Sequence, residues 1–460
     1  MTKPDVVWGG RFRAEPHPEM MRLTRSIEVD IRLLEVDARA TKAHARVLAA
    51  AGLLARDDLE AIDETLDDLV ARADEGRLDD AGDEDVHSLV ERVLTEQLGE
   101  VGARVHAGRS RNDLVATDLR LWCKETAGRL AALVGDVLSV IAARAEEHES
   151  SPMPGYTHLQ RAQFVSVGFH LLAHGFALAR DGYRFLGARV SADRCVLGAG
   201  ALAGTTLPLD PGVAADELGF TKTFDNAMDA VSDRDFACDL LYAAALCAVH
   251  LSRLAEEIVL WTSAEFSLAR LPDEWSTGSS MMPNKRNPDL AELVRGRSAP
   301  AIADVTALLT LLKALPLAYD RDLQEDKEIV FRACDRIGDA LLATRYLVEA
   351  IEFRAEPTMS EGAMWATDLA EALVARGVPF REAHRAVGAL VVDLEERGAT
   401  LAEASEEDLK KHHESLSTED RQLADAAGSL RLRDAPGGTA PERVREQIER
   451  LRARAQELRA

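Results

Sequence analysis

The chain has 460 residues, with 79 Asp and Glu against 55 Lys and Arg, and a formal charge of −24. That length can bury a large core and leads us to expect two or three domains, while the acidic balance argues against nucleic acid or an anionic membrane as a partner. Aromatic residues make up only 5%, and the dominance of Ala, Leu, Val, Glu and Arg favours helices.

The five cysteines, Cys123, Cys195, Cys238, Cys247 and Cys334, are odd in number and lack CxxC pairing. They read as reduced thiols of a cytoplasmic protein. The opening Met1-Thr2-Lys3-Pro4-Asp5 has no apolar segment of the secretory kind, and apolar runs such as Leu240 to Cys247 are too short to span a bilayer. The expectation is a cytoplasmic chain. Arg outnumbers Lys and acid is in surplus, which fits a salty cytoplasm; a GC-rich genome explains the Arg bias equally well.

Apolar residues recur at helical spacing along the chain. Leu59, Ile62, Leu66, Leu69 and Val70 mark one amphipathic helix, and Leu130, Leu133, Val137, Leu138 and Ile141 a longer one. Leu240, Leu241, Ala244, Cys247, Leu251, Leu254 and Ile258 mark a third, and Val294, Ile302, Val305, Leu309 and Leu312 a fourth. Long helices with one apolar stripe are bundle elements. Pro300 inside the fourth predicts a kink. Breaks fall near Gly102 to Gly108, at Pro152 to Gly155, across Leu197 to Pro211 and near Pro357 to Gly362. Gly377 with Pro379 reads as a helix stop and restart, and Thr439-Ala440-Pro441 as the start of a last helix with Val444, Ile448 and Leu451 on one face. No sustained alternation suggests a sheet of any size. The reading is an all-α protein: an N-terminal helical domain (1–107), a central helical bundle (108–357) and a C-terminal helical domain (358–460).

The segment Ser276-Thr277-Gly278-Ser279-Ser280-Met281-Met282-Pro283-Asn284-Lys285-Arg286-Asn287-Pro288 gathers hydroxyls, an ammonium and an amide where two prolines bar a continuous helix. Such a loop can carry reactive groups over a ligand, or it can be a solvated connector between helices. Its portion from Gly278 to Pro288 resembles the signature loop of the fumarase/aspartase superfamily, whose members split C–N or C–O bonds and release fumarate. Four further segments, Trp8-Gly9-Gly10-Arg11-Phe12, Gly108-Arg109-Ser110-Arg111-Asn112-Asp113, Pro154-Gly155-Tyr156-Thr157-His158-Leu159-Gln160-Arg161-Ala162-Gln163 and Asp322-Leu323-Gln324-Glu325-Asp326-Lys327-Glu328, resemble the argininosuccinate lyase family. The likeness runs from Trp8 to the C-terminal helices. Asn284 and Arg286 depart from the commonest family spelling, and neither is expected to do chemistry.

The resemblance implies a fold in which four long-helix central bundles pack into a twenty-helix tetramer core. It implies a homotetramer whose active sites draw residues from three subunits, with a small-molecule substrate and neither metal nor organic cofactor. The reaction would be β-elimination of argininosuccinate to arginine and fumarate, the last step of arginine biosynthesis. The rivals are another fumarate-releasing lyase, such as adenylosuccinate lyase, and a silent scaffold of the δ-crystallin kind. Adenylosuccinate lyase has no reason to keep Arg109 to Asn112 together with Gln324 to Lys327. An intact catalytic set argues against the scaffold.

Elimination needs a base for a weakly acidic carbon proton, a cation for the resulting dianionic carboxylate, and an acid for the departing nitrogen. Ser279 is the candidate base, although a serine hydroxyl needs strong local activation; taken alone it reads as a loop hydroxyl capping an amide. Lys285 takes the family's role of holding the carboxylate. His158, expected where a helix begins, is the candidate acid, with Glu292 as the carboxylate that fixes its tautomer. The reverse assignment, His158 as base and Ser279 as acid, stays open. Ser26, Asn112, Thr157, Asn287, Tyr319, Gln324 and Lys327 match the family's substrate-binding positions. Arg111 and Arg234 either clamp carboxylates or pair with nearby acids, and His87 is a weaker candidate for the succinyl end. The cations gather locally in a chain that is acidic overall. Gly198-Ala199-Gly200 with Gly204 has GxGxxxG spacing without a βαβ pattern and reads as a tight turn. His412-His413-Glu414 lacks metal-site spacing and reads as surface.

Overall fold

A computed structural model describes residues 17–80, 82–354, 363–422 and 426–460. The Trp8 to Phe12 segment and the break at Pro357 to Gly362 lie outside the described residues. Backbone contacts gather into two compact units. The first takes residues 17–128, Gly187–Tyr242 and Ala303–Cys334; the second takes Arg129–Leu186, Ala243–Ile302 and Asp335–Ala460.

The fold is all-α, as the periodicity predicts. In the first unit the Leu34–Ala50, Arg56–Asp74 and Val86–Leu98 helices pack on one another. Leu48, Ile62, Leu66, Leu69, Leu89 and Leu94 are almost wholly buried there, so the 3.6-residue stripe is the packing surface. A smaller cluster of Ala116, Val196, Ala199, Ala230 and Val231 holds the glycine-bearing turn at 198–204.

Helices of the second unit pack around two apolar centres. One is C-terminal: Trp365, Leu369, Leu373, Val387, Leu390, Leu394, Leu409 and Leu430 close on Phe164. The other is built on the last helix, Pro441–Arg459, which buries Val444, Ile448, Leu451 and Leu458. Arg445 and Arg452 of that helix pair with Glu149 and Glu146 at 2.7 and 2.6 Å. The expected stop at Gly377 (φ 92°) and restart at Phe380 are both present.

Among the described residues the strands form two short antiparallel ribbons. Pro152–Thr157 pairs with Gln160–Ser166, and Ala269–Arg270 with Glu352–Phe353. The first ribbon tolerates Pro152 and Pro154 because a two-stranded sheet has only edges. A register shift falls between Pro154 and Tyr156, where the intervening Gly155 leaves room for the opposite strand: a Cβ there would sit 3.0 Å from the Gln163 carbonyl oxygen.

Three expectations are corrected. His158 does not begin a helix but sits at the tip of this hairpin. Pro300 does not kink a continuous helix: the chain breaks at Arg297 between the Asp289–Gly296 and Ser298–Leu312 helices, which places Pro300 in a first turn, where it costs no hydrogen bond. Finally, not every apolar run is short. The 37-residue Arg111–Glu147 helix contains an 18-residue stretch of mean hydropathy 1.5, enough by length and composition to cross a membrane. Its Leu119, Leu130, Val134, Val137, Leu138 and Ile141 are instead buried inside the protein.

Candidate active site

The signature loop is closed at its neck. Thr277 N donates to the Asn287 carbonyl at 3.1 Å and Asn287 N returns the bond to Thr277 O at 2.8 Å. The Thr277 hydroxyl also bonds Asp289, and the Arg286 guanidinium reaches Asp273 and the Leu271 carbonyl. Arg286, a departure from the family spelling, therefore pins the base of the loop. The tip stands in solvent, with Met281 87% exposed. Within it the amides of Met281 and Met282 both donate to Ser279 Oγ, at 3.3 and 3.0 Å. This is the capping geometry that composition alone suggests, and it has a chemical consequence. Two N–H dipoles aimed at one hydroxyl oxygen favour its ionised form, the requirement for a serine to act as base.

Lys285 is exposed on the same loop, its amide bonded to the Met282 carbonyl at 3.2 Å. The Asn287 side chain leans on the Gly278 carbonyl at 3.5 Å. Glu292 lies in the first turn of the Asp289–Gly296 helix, 3.8 Å from Arg295, which pairs in turn with Glu256 at 2.5 Å.

Thr157 and Gln160 pair across the hairpin, leaving His158 (φ 55°) and Leu159 (φ 58°) as its two-residue turn. Two positive φ angles define the tight turn that normally takes Asn and Gly, and a leucine there is strained. The hairpin stem is rigid: Met153 and Phe164 are buried, Tyr156 packs on Phe266 at 5.4 Å, and the Thr439 hydroxyl meets Ser166 N at 3.1 Å. The tip presents exposed Thr157, His158 and Leu159. Among the described residues no hydrogen bond or ion pair joins His158 to Glu292 within one chain.

The other candidate residues belong to the first unit. Ser26 is buried, with its hydroxyl on Asp30 and its amide on the Glu84 carbonyl at 2.8 Å. Lys327 is buried 3.2 Å from Asp326. Burial works against its charge, but Asp326, Asp30 and Tyr319 outweigh that and raise its pKa. Burial raises the Tyr319 hydroxyl, which Lys327 partly opposes. The Gln324 amide donates to the Thr24 carbonyl at 3.3 Å, and that of Asn112 to the Ala201 carbonyl at 3.2 Å.

The two arginines and His87 resolve toward the acids around them. Arg234 is wholly buried, its Nε 2.6 Å from Asp326. Arg111 lies 3.1 Å from Asp85 and bonds the Ser88 hydroxyl at 3.0 Å. His87 is buried with Nδ1 2.5 Å from Asp37 and 3.5 Å from Asp118.

Sequence reading missed Asp113, although the residue lies in a quoted motif. Its carboxylate accepts the amides of Gly198 and Gly200 at 3.1 and 2.8 Å and that of Ser110 at 2.9 Å. The glycine turn therefore spends its amides on a protein carboxylate, not on a phosphate. Burial lifts Asp113 to about 6 against those donors. Asp326, which pairs with Lys327, and Asp30, whose charge favours the Lys327 ammonium, were missed as well; Asp326 was visible only as the neighbour of Lys327. His412, read as surface, is half-buried and meets Asp393 at 3.0 Å. A cleft of about 430 Å³ lined by Arg194, Asp216, Lys222 and Asp225 contains none of the expected site residues.

Residues 10–302 match the family model described as Lyase, and residues 363–431 match the one described as Argininosuccinate lyase C-terminal. The chain is 50% identical over 450 residues to an argininosuccinate lyase of Frankia casuarinae, covering 97% of both chains. It is 44% identical to an argininosuccinate lyase of Pelotomaculum thermopropionicum, covering 99% of this chain and all of that one. In three dimensions it is similar to an EDDS lyase solved with formate, with a TM-score of 0.83 at 25% identity, over 97% of this chain and 91% of the other.

Proposed function

Because the chain belongs to the argininosuccinate lyase family of the fumarase/aspartase superfamily, we infer that it cleaves argininosuccinate to arginine and fumarate, the last step of arginine synthesis. The observation that carries the chemical reading is the pair of amides on Ser279. They lower the cost of the serine alkoxide, which takes a proton from the succinyl carbon next to a carboxylate. The electron pair moves into that carboxylate, and Lys285 on the same loop supplies the positive charge that the resulting dianion needs. The C–N bond then breaks, and the departing guanidino nitrogen takes a proton from His158. Fumarate and arginine leave with atoms and charge balanced.

Glu292 is assigned to orient His158 across a subunit boundary. Ser26, Asn112, Thr157, Asn287, Tyr319, Gln324 and Lys327 are assigned to hold the substrate. Arg111 and Arg234 act by ordering acids around that set. The three-part division at 107 and 357 and a homotetramer with sites shared between three subunits complete the reading. Exposed apolar residues on the long helices support assembly: Tyr242 is 57% exposed, Ile302 50% and Leu309 53%. That none of the cysteines forms a disulfide among the described residues supports a reducing cytoplasm.

The test is fumarate absorbance on mixing the protein with argininosuccinate and, separately, adenylosuccinate. Turnover of argininosuccinate alone, lost in Ser279→Ala, is the expected result. In deuterium oxide, His158→Gln should still exchange the succinyl proton while Ser279→Ala should not; the opposite pattern would reverse the two roles.

A further inference from the structure

Two groups of His, Asp and Glu side chains among the described residues lie close enough to hold an ion. They are Asp37–His87–Asp118 and His170–His174–Glu257. The first is fully buried, offers a single imidazole, and is tied to Thr41, which bonds Asp37 at 3.1 Å. The second is different in chemistry and access.

His170 and His174 stand one turn apart on the Val167–Ala192 helix, and their Nε2 atoms converge on a single oxygen of Glu257 from the Asp235–Thr262 helix, at 2.5 and 2.8 Å. The three side chains are 22, 13 and 34% exposed, so the cluster rests on packed helices yet opens to solvent. The Trp261 ring meets the His170 ring edge-on at 5.1 Å and limits its rotation. None of the three takes part in the reaction derived above, and the geometry does not depend on that reading.

We propose that His170, His174 and Glu257 form a binding site for one divalent transition-metal ion of the zinc type. Two imidazole nitrogens and one carboxylate oxygen are the donor set such ions prefer, and Mg²⁺ and Ca²⁺ do not. All three donor atoms lie within 4.8 Å of one another. A tetrahedral ion with bonds of about 2.0–2.1 Å needs donors about 3.3 Å apart. The contacts of 2.5 and 2.8 Å must therefore open by less than about 1 Å, a modest rotation of three side chains about their own bonds. Each neutral imidazole gives up its Nε2 proton to Nδ1 as the metal takes Nε2; an imidazolium releases one proton to water. Water completes the coordination. The ion would staple the two helices, adding stability rather than chemistry.

The experiment uses the full-length assembled protein, stripped with chelator and dialysed. It is titrated with CoCl₂ while the visible ligand-field bands are followed, and then with ZnCl₂ to displace the cobalt. One cobalt per chain with bands of low-coordinate intensity, a zinc-dependent rise in melting temperature, and loss of both in Glu257→Gln and in His170→Ala are expected. His412→Ala, at the Asp393 pair, should bind as the parent does. Absence of a cobalt band and of a melting shift at micromolar zinc overturns the site. So does binding that survives in folded Glu257→Gln and His170→Ala, or binding that disappears only in His412→Ala.

Discussion

Two regions of the chain handle polar groups in opposite ways. In the loop from Thr277 to Asn287, polar side chains stand in solvent and are satisfied by the loop's own backbone and its immediate neighbours. In the first unit, Arg234, Asp326 and Lys327 are buried and pair through Asp326. Exposed polar groups cost little to fold around, so their identity is free to serve chemistry. Buried charges tolerate no change, because removing one partner strands the other in a medium that cannot solvate it. The loop should be soft for stability and unforgiving for activity, whereas the buried set should be unforgiving for stability.

The largest expected break is at Ser279. Replacing it with alanine removes the proposed base, and kcat should fall by about 10²- to 10⁴-fold. The melting temperature should hold, since an exposed-loop substitution costs within about 0.5 kcal/mol. A matching loss of stability would move Ser279 into the structural class.

Next come the buried charges. Asp326→Asn leaves Arg234 and Lys327 short of a counter-charge and should cost about 3–5 kcal/mol in urea unfolding. Changing both members of the 2.6 Å pair, as Arg234→Met with Asp326→Leu, should recover much of that loss. If the double variant is no more stable than the single, the pair is not the unit that matters.

The same contrast sharpens with pH. Burial pulls His44, bonded to the Ala107 carbonyl at 2.9 Å, down to about 3 from its ordinary 6.5. It lifts Asp113 to about 6 from 3.8. Between about 3 and 6.5 the unfolded chain binds more protons than the native one at His44, so that residue's contribution is whole above 6.5 and is lost as pH falls. At Asp113 the native state holds the extra proton, so its contribution is whole below 3.8 and is lost as pH rises through 6. The two slopes oppose each other across the window they share. His44→Gln should unmask Asp113, and stability should then fall with rising pH from 3.8 to 6 by about one proton's slope relative to the parent. An unchanged slope would mean that burial does not hold His44 neutral in the native state.

The sequence was readable wherever the candidate residues lie close together in the chain. The signature loop carries Ser279, Lys285 and Asn287 within nine positions, and its prolines declare it a loop. The long helices were readable too, because a buried stripe repeats every 3.6 residues. Partners far apart in the chain were not. Arg234 finds Asp326 92 residues away, and His170 and His174 meet Glu257 87 and 83 residues on. Nothing in a string of letters distinguishes those pairings from others equally charged. The hairpin at 152–166 failed for another reason. Pro152, Pro154 and Gly155 read as breakers, and their compatibility with an edge-only ribbon is a property of the sheet, not of the residues.

That hairpin supplies the smallest and most discriminating prediction. His158 and Leu159 both occupy the left-handed region, at φ 55° and 58°. Each L-residue there carries about 1–2 kcal/mol of strain. Asn tolerates the region because its short side chain bonds the local backbone, so Leu159→Asn should relieve part of that cost. The melting point should rise by the equivalent of about 0.5–1 kcal/mol. Leu159 is 65% exposed, so little packing is forfeited. If His158 is the acid, its position is set by the stem and not by the identity of its neighbour, and kcat should stay close to the parent value. A lower melting point together with a smaller particle on sedimentation would instead place Leu159 in a subunit contact. The strain at the turn would then be held by assembly rather than by the hairpin's own stem.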